Sequence, residues 1–281
     1  MTIEQELIRN PTDWPILADW LEDHDQPQRA LLFRTPRITN HIGMEFALVP
    51  ADTFRMGGGG GKPGDKQVEI AKDFYLGVYP VTQEQWQTIM GTNPSYFSRI
   101  GNGEDRVKSI SDADLKQFPV ETVSWKDVQE FIQRLNTQES SSEWVYRLPT
   151  EAEWEFACRG GLSSPQDCSF DFYFDQPTNN LSSTRANFNG NYPVGSAAKG
   201  PFLQRPAKVG SYKPNRLGIY DMHGNVWEWC QDILPEDLQY MIRGGSWLSH
   251  GEFCTAAYRS WFGPAECRRH VGFRFLAVPK V

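Results

Sequence analysis

Residues 218–230 read GIYDMHGNVWEWC. The first half holds turn formers, with Asn225 directly after Gly224. The second half sets two tryptophans, Trp227 and Trp229, on either side of one carboxylate, Glu228. Neither a helical period nor a clean strand alternation runs through the whole stretch. The question is why two large aromatics flank a carboxylate directly after a Gly-Asn turn.

The surroundings are read outward from there. From Met44 onward the texture is of short strand-like runs, FALVP, FRMG and VEIAKDFYLGVYPV, broken by Gly and Pro. Between them lies MGGGGGKPGDK, which lacks the Gly-Lys-Ser/Thr of a phosphate loop and has Pro63 after Lys62. It is therefore read as a surface turn. Three helices are marked by their caps. Thr82 with Gln85 opens TQEQWQTIM, Ser124 opens WKDVQEFIQRLN, and Thr150 with Glu153 opens EAEWEFACR. In the second of these, Val128, Phe131, Ile132 and Leu135 fall on one face. Glu151, Glu153 and Glu155 could suggest acid–base chemistry. The first two sit in the first turn, where the helix dipole favours negative charge, so a structural role is expected. From Gly161 to Val209 the chain is rich in Ser, Asn, Gly and Pro, which predicts a long irregular segment and suggests ions as ties.

Length and composition set limits. A chain of 281 residues accommodates one large domain plus a small appendage. A net charge of −7 without a Lys/Arg run speaks against nucleic-acid binding. The polar start MTIEQELIRN is neither a signal nor a transit peptide, and no apolar run is long enough to span a membrane. The expected location is cytoplasmic. Five cysteines without a CxxC pair argue against a disulfide framework and a structural zinc site. Ten Trp and 24 Gly suggest a loop-rich domain held by aromatic packing.

Two resemblances follow from these motifs. NPTDWPILADWLEDHDQPQRALLFR, within residues 1–36, resembles the planctomycete-type repeat-companion domain, a small helical N-terminal unit. After a linker, residues 44–281 resemble the formylglycine-generating enzyme (sulfatase-modifying factor) family. The resemblance is carried in order by GMEFALVPADTFRMG, YPVTQEQWQTIMGTNPSYF, PVETVSWKDVQEFIQRLN, YRLPTEAEWEFACRGG, GIYDMHGNVWEWCQD, RGGSW and GFR. It implies a loop-rich α+β fold related to C-type lectins, with bound calcium. It also implies copper-dependent oxidation by O2 of a cysteine in a peptide or protein.

Carried onto this chain, the calcium ligands would be Asp221 and Glu228 through side chains and Gly224 and Val226 through carbonyls. Calcium takes about six to eight oxygens, which suits such a loop. A tightly packed turn with no ion is the other reading. Asn187 and Phe188 fit half of a second calcium site that has no clear acidic partner. The family's copper pair has C-x4-C spacing, and here Ser249 and Cys254 occupy it. One copper thiolate is therefore missing, and a serine hydroxyl is a poor ligand for a soft ion. Cys254 remains the candidate redox thiolate or metal ligand, and Ser246 and Trp227 match positions that shape the family's active site.

The tail RGGSWLSHGEFCTAAYRSWFGPAECRRHVGFR also resembles the variable proteins of diversity-generating retroelements, in which the same fold displays a diversified surface. On that reading the binding surface is residues 247–271, with Trp247, Leu248, Ser249, His250, Tyr258, Trp261, Phe262, Arg268 and His270 as contacts. Aromatics and Arg are the residues that build binding hot spots. The expectation is a member of the enzyme family with diverged or absent oxidase activity that still recognises a peptide or protein. The alternative is a non-catalytic lectin-like binder.

Overall fold

The computed structural model describes residues 36–234, 236 and 238–280, together with Ala18, Trp20, Leu21, Asp23 and His24. Most of the expected N-terminal unit, and its boundary, lies outside the described residues. Ala18, Trp20, Leu21 and Asp23 are helical, as expected for that segment.

In chain order the elements are β1 (Arg37–Thr39), β2 (Glu45–Val49), β3 (Asp52–Gly59), β4 (Lys62–Ile70), β5 (Phe74–Gly77), α1 (Gln83–Met90), α2 (Asp112–Lys116), α3 (Trp125–Gln138), β6 (Trp144–Arg147) and α4 (Glu151–Cys158). There follow β7 (Phe172–Tyr173), β8 (Pro177–Thr178), β9 (Trp227–Leu234), β10 (Gln239–Arg243), β11 (Ser260–Phe262), β12 (Val271–Gly272) and β13 (Leu276–Pro279). One antiparallel sheet has the order β1-β2-β5-β13-β6, and a second has the order β11-β10-β9-β12, with β12 parallel to β9. The expected α+β class with short strands and few helices is what the chain forms.

The three caps lie where the sequence puts them. Thr82, Ser124 and Thr150 each close a capping box at the start of α1, α3 and α4. In α3 the buried face is Val128, Phe131, Ile132 and Leu135. The glycine run, expected as a surface turn, is mostly strand: Gly57 to Gly59 belong to β3, and only Gly60 and Gly61 make the hairpin turn to β4. Gly60 and Gly61 both have positive φ there, the backbone of a tight two-residue turn.

Strand β9 answers the question posed by the two tryptophans. Alternate side chains of a strand face opposite ways. Trp227 and Trp229 pack into a core with Phe131, Phe273 and Phe275. Cys230 lies in a second core around Trp154, Phe156 and Met241. Glu228, between the tryptophans, faces Trp154 of that second core. It meets Arg274, which is fully buried. Arg274 donates Nε to Glu228 Oε2 at 2.7 Å and Nη2 to Oε1 at 2.7 Å, and Trp154 Nε1 donates to Oε2 at 2.6 Å. The other Arg274 donors reach the carbonyls of Gly77, Val78 and Tyr220. A single guanidinium thereby ties the 218–230 stretch to β5.

The segment 161–209 is irregular, as expected, and amide side chains stitch it together. Asn187 Nδ2 donates to Arg205 O and to Asn225 Oδ1, while Asn225 Oδ1 also accepts from Ala207 N and Asn225 Nδ2 donates to Ala207 O. Asn225 itself adopts a φ of 65°, which asparagine tolerates better than most residues.

Candidate functional site

The RGGSW turn that follows β10 is held from below. Arg243 is fully buried and pairs with Glu151 and Glu155 of α4. Glu151 also pairs with Arg259, Glu155 with Arg159, and Glu153 with Arg147. All three glutamates of α4 are thus ion-pair anchors, in line with their expected structural role. Gly245 has a φ of 76° and lies directly against the Cys254 sulfur, so a side chain there would collide with it.

Ser249 and Cys254 each adjoin the RGGSW turn, Ser249 at Ser246 and Cys254 at Gly245. Ser249 Oγ accepts from Ser246 N at 3.1 Å and lies 3.1 Å from Ser246 Oγ. Cys254 Sγ donates to His250 O at 3.7 Å. The surroundings of Cys254 are apolar. The residue is 0% exposed, among Phe172, Phe174, Leu181 and Phe188. Burial pushes its thiol up to about 12, so it stays protonated near neutral pH. The copper set does not fit: one thiol is sealed in apolar surroundings and its partner is a hydroxyl. Ser246 is fully buried and Trp227 nearly so. His223 Nδ1 donates to Cys254 O, and its Nε2 accepts from Tyr173 N. Burial lowers its pKa to about 4, so it too is neutral scaffold.

The loop of Asp221 and Glu228 is built differently. Asp221 has a φ of 59° and one oxygen, Oδ2, accepting from Gly210 N at 2.9 Å. Burial pushes its carboxyl up to about 6; the nearby Glu228 charge adds to the rise, and Gly210 N–H and Arg274 oppose it. This is a drawn-in anion with little compensation. Glu228 is already engaged by Arg274 and Trp154 through three hydrogen bonds. A carboxylate has about four lone-pair sites, so it retains a single one. Among the described residues no group of three or more His, Cys, Asp or Glu gathers to hold a metal. Asp221 and Glu228 therefore fit a hard cation only where carbonyls such as those of Gly224 and Val226 complete the set.

The 247–271 face is the exposed one. Leu248 is 40%, Tyr258 36% and Trp261 46% exposed. His250 stacks on Tyr192 at 3.7 Å between ring centroids, Phe253 packs on both His250 and Tyr258, and Tyr258 reaches Trp227. Arg268 lies over Phe262 and pairs with Glu266. His270 is partly buried, and burial with the neighbouring Arg268 and Arg269 lowers its pKa to about 4. Trp247, expected as a contact, is only 3% exposed and forms the wall of a cleft with Tyr96, Phe202 and Leu248. Phe202 and Tyr192 belong to no motif singled out in the sequence; Tyr96 lies within YPVTQEQWQTIMGTNPSYF, but nothing local marks it as a cleft residue.

The 34–278 segment matches the family described as sulfatase-modifying factor enzyme 1-like domain. The chain belongs to this family. A Paenibacillus barcinonensis protein named chaperone protein LppX is 31% identical over 237 residues, which cover 70% of this chain and 77% of that one. The formylglycine-generating enzyme of Thermomonospora curvata is 30% identical over 190 residues, covering 59% of this chain and 57% of the enzyme. The chain thus spans little more than half of that enzyme. Treponema denticola variable protein 1 shares the fold, with a TM-score of 0.64 at 24% identity over 87% of this chain and 99% of that one. Membership in the sulfatase-modifying factor family accords with the ordered motifs, and the fold accords with the expected formylglycine-generating-enzyme-like, lectin-related architecture.

Proposed function

We propose that this protein is a sulfatase-modifying-factor-like member without copper-dependent oxidase activity, which recognises a peptide or protein on its 247–271 face. The observation that carries this reading is the pair at the family's copper spacing: a serine and a thiol that is 0% exposed and pushed up to about 12. The family's chemistry needs two reachable thiolates. The test is anaerobic Cu(I) titration of the wild type and of Cys254→Ala. The expected result is no stoichiometric copper uptake and no oxidation of cysteine peptides. Stoichiometric binding that disappears in the variant would overturn the reading.

A diversified binder is the second reading. Support for it comes from the alternation of burial along the tail: Arg243, Trp247, Cys254, Ala256 and Arg274 are buried, whereas Leu248, Tyr258, Trp261 and Arg268 between them are exposed. Sequencing the 3′ end of the gene from many isolates tests it, because substitutions concentrated at those exposed positions are expected and an even spread would sink it.

We further propose a structural calcium at Asp221 and Glu228 with carbonyls of Gly224 and Val226. When bound, it would supply positive charge to the drawn-in Asp221 carboxylate. A cytoplasmic location is proposed as well, supported by five cysteines that are all free thiols. Among the described residues no helix is long and apolar enough to cross a membrane.

A further inference from the structure

We infer that the cleft walled by Tyr96, Phe202, Trp247 and Leu248 takes the carboxylate of a peptide segment, held by Arg106 and Arg269. This deepens, and rests on, the reading that this face recognises a peptide or protein. The cleft has a volume of about 190 Å³. Pockets for drug-sized ligands run to roughly 300–1,000 Å³, so a single side chain or a chain end is the fitting occupant.

The walls are fixed before any ligand arrives. The Trp247 ring meets Phe97 edge-on at 5.3 Å, and its Nε1 donates to Arg269 O at 3.3 Å. Its backbone N–H donates to Asn225 O at 2.9 Å. Phe202 lies nearly parallel to it at 6.4 Å.

Two guanidiniums line the cleft. Arg269 lies along the wall, its guanidinium 5.2 Å from the Tyr96 ring and 5.9 Å from Trp247. Arg106 Nη1 donates to Gln204 Oε1 at 2.6 Å, a neutral partner. Among the described residues neither arginine has an acidic partner within ion-pair distance, whereas Arg259 and Arg268 on the same face are paired with Glu151 and Glu266. Glu121 lies near Arg269 but is fully buried, and its oxygens accept from Phe97 N and Thr122 Oγ1 instead. In a protein of net charge −7, two unpaired guanidiniums in one aromatic cleft select an anion. Their planar forks suit a carboxylate, and the rings suit an apolar neighbour.

The carboxylate could belong to an Asp or Glu side chain or to a chain end, and one set of probes separates them. The peptides are acetyl-Gly-Phe-Glu-Gly-amide, its Gln, Lys and phosphoserine counterparts, and acetyl-Gly-Phe as free acid and as amide. Binding is read from the Trp247 indole N–H resonance of the 15N-labelled protein. The Glu peptide or the free acid is expected to bind at least tenfold more tightly than its neutral counterpart. Arg106→Gln and Arg269→Gln should each erase that preference while leaving the weak binding of the Gln peptide, a result that loss of folding would not produce. Equal binding of the Glu and Gln peptides and of acid and amide overturns the carboxylate but leaves peptide recognition standing. A phosphoserine peptide more than tenfold tighter than the Glu peptide overturns it in favour of phosphate. No binding by any of the six removes both the inference and recognition at this cleft.

Discussion

Arg274 and Glu228 are fully and almost fully buried, and each is the other's counter-charge. A buried pair of this kind contributes little net stability by its presence. Removing one partner is different, because it strands the other charge. Arg274→Leu is expected to lower unfolding free energy by about 3–5 kcal/mol, measured by urea denaturation. Glu228→Gln in the Arg274→Leu background should recover a large part of that loss, since it removes the stranded charge. Failure of the second change to rescue would mean that Arg274 acts through its three carbonyl contacts instead. Glu121 presents a different case at the same scale. Burial raises its pKa from 4.5 to about 7 against the opposing hydrogen bonds of Thr122 and Phe97. Because the folded value lies above the unfolded one, the folded protein binds the extra proton. Stability from this group is present at low pH and is lost as pH rises from 4.5 through about 7. Glu121→Gln should therefore raise Tm at pH 8 and leave it unchanged near pH 4.5. A gain of equal size at both pH values would show that ionisation is not the cause.

At the scale of elements, the caps and the α3 face could be read directly, because capping boxes and helical periodicity are local signals and both survive in the folded chain. The buried ion pairs of α4 were foreseeable in kind but not in partner. Arg243 and Arg259 lie far along the chain from Glu151, and nothing in their spacing pairs them. The sealed state of Cys254 was hidden for the same reason, since the phenylalanines around it come from the irregular segment 161–209. The composition of that segment points to ions as ties. Its order comes in part from Asn187 and Asn225, whose hydrogen bonds to residues 205 and 207 no short pattern announces. Asn225→Ala should cost about 1–3 kcal/mol for the buried partners it leaves unmatched. Limited proteolysis is expected to cut within residues 187–209 before any other site in the variant. An unchanged cleavage pattern would sink that account.

For the molecule as a whole, strands β2, β9, β10 and β13 each contribute to both cores, and the loop preceding β9 carries the proposed calcium. Asp221 is the sensor. Without a cation its carboxyl stands at about 6, so its contribution to stability falls as pH rises from 3.8 through that value. Calcium at 100 times its dissociation constant would add about 2.7 kcal/mol. Differential scanning calorimetry at pH 7 should show a higher Tm with calcium than with a chelator in the wild type, and no difference in Asp221→Asn. An equal Tm in both wild-type samples would remove the ion from the loop.

The order of the larger sheet has a consequence for how the protein is made. Strand β13 lies between β5 and β6, so that Leu276 is the neighbour of Leu76 and Ala277 that of Tyr146. Until the ribosome has released residue 279, β5 and β6 have an empty lane between them, and each shows an unpaired edge. Non-local pairing of this kind folds slowly and exposes edges that invite wrong partners. During synthesis the nascent chain therefore depends on whatever shields those edges, and a stop codon placed just before Leu276 would leave that lane permanently open.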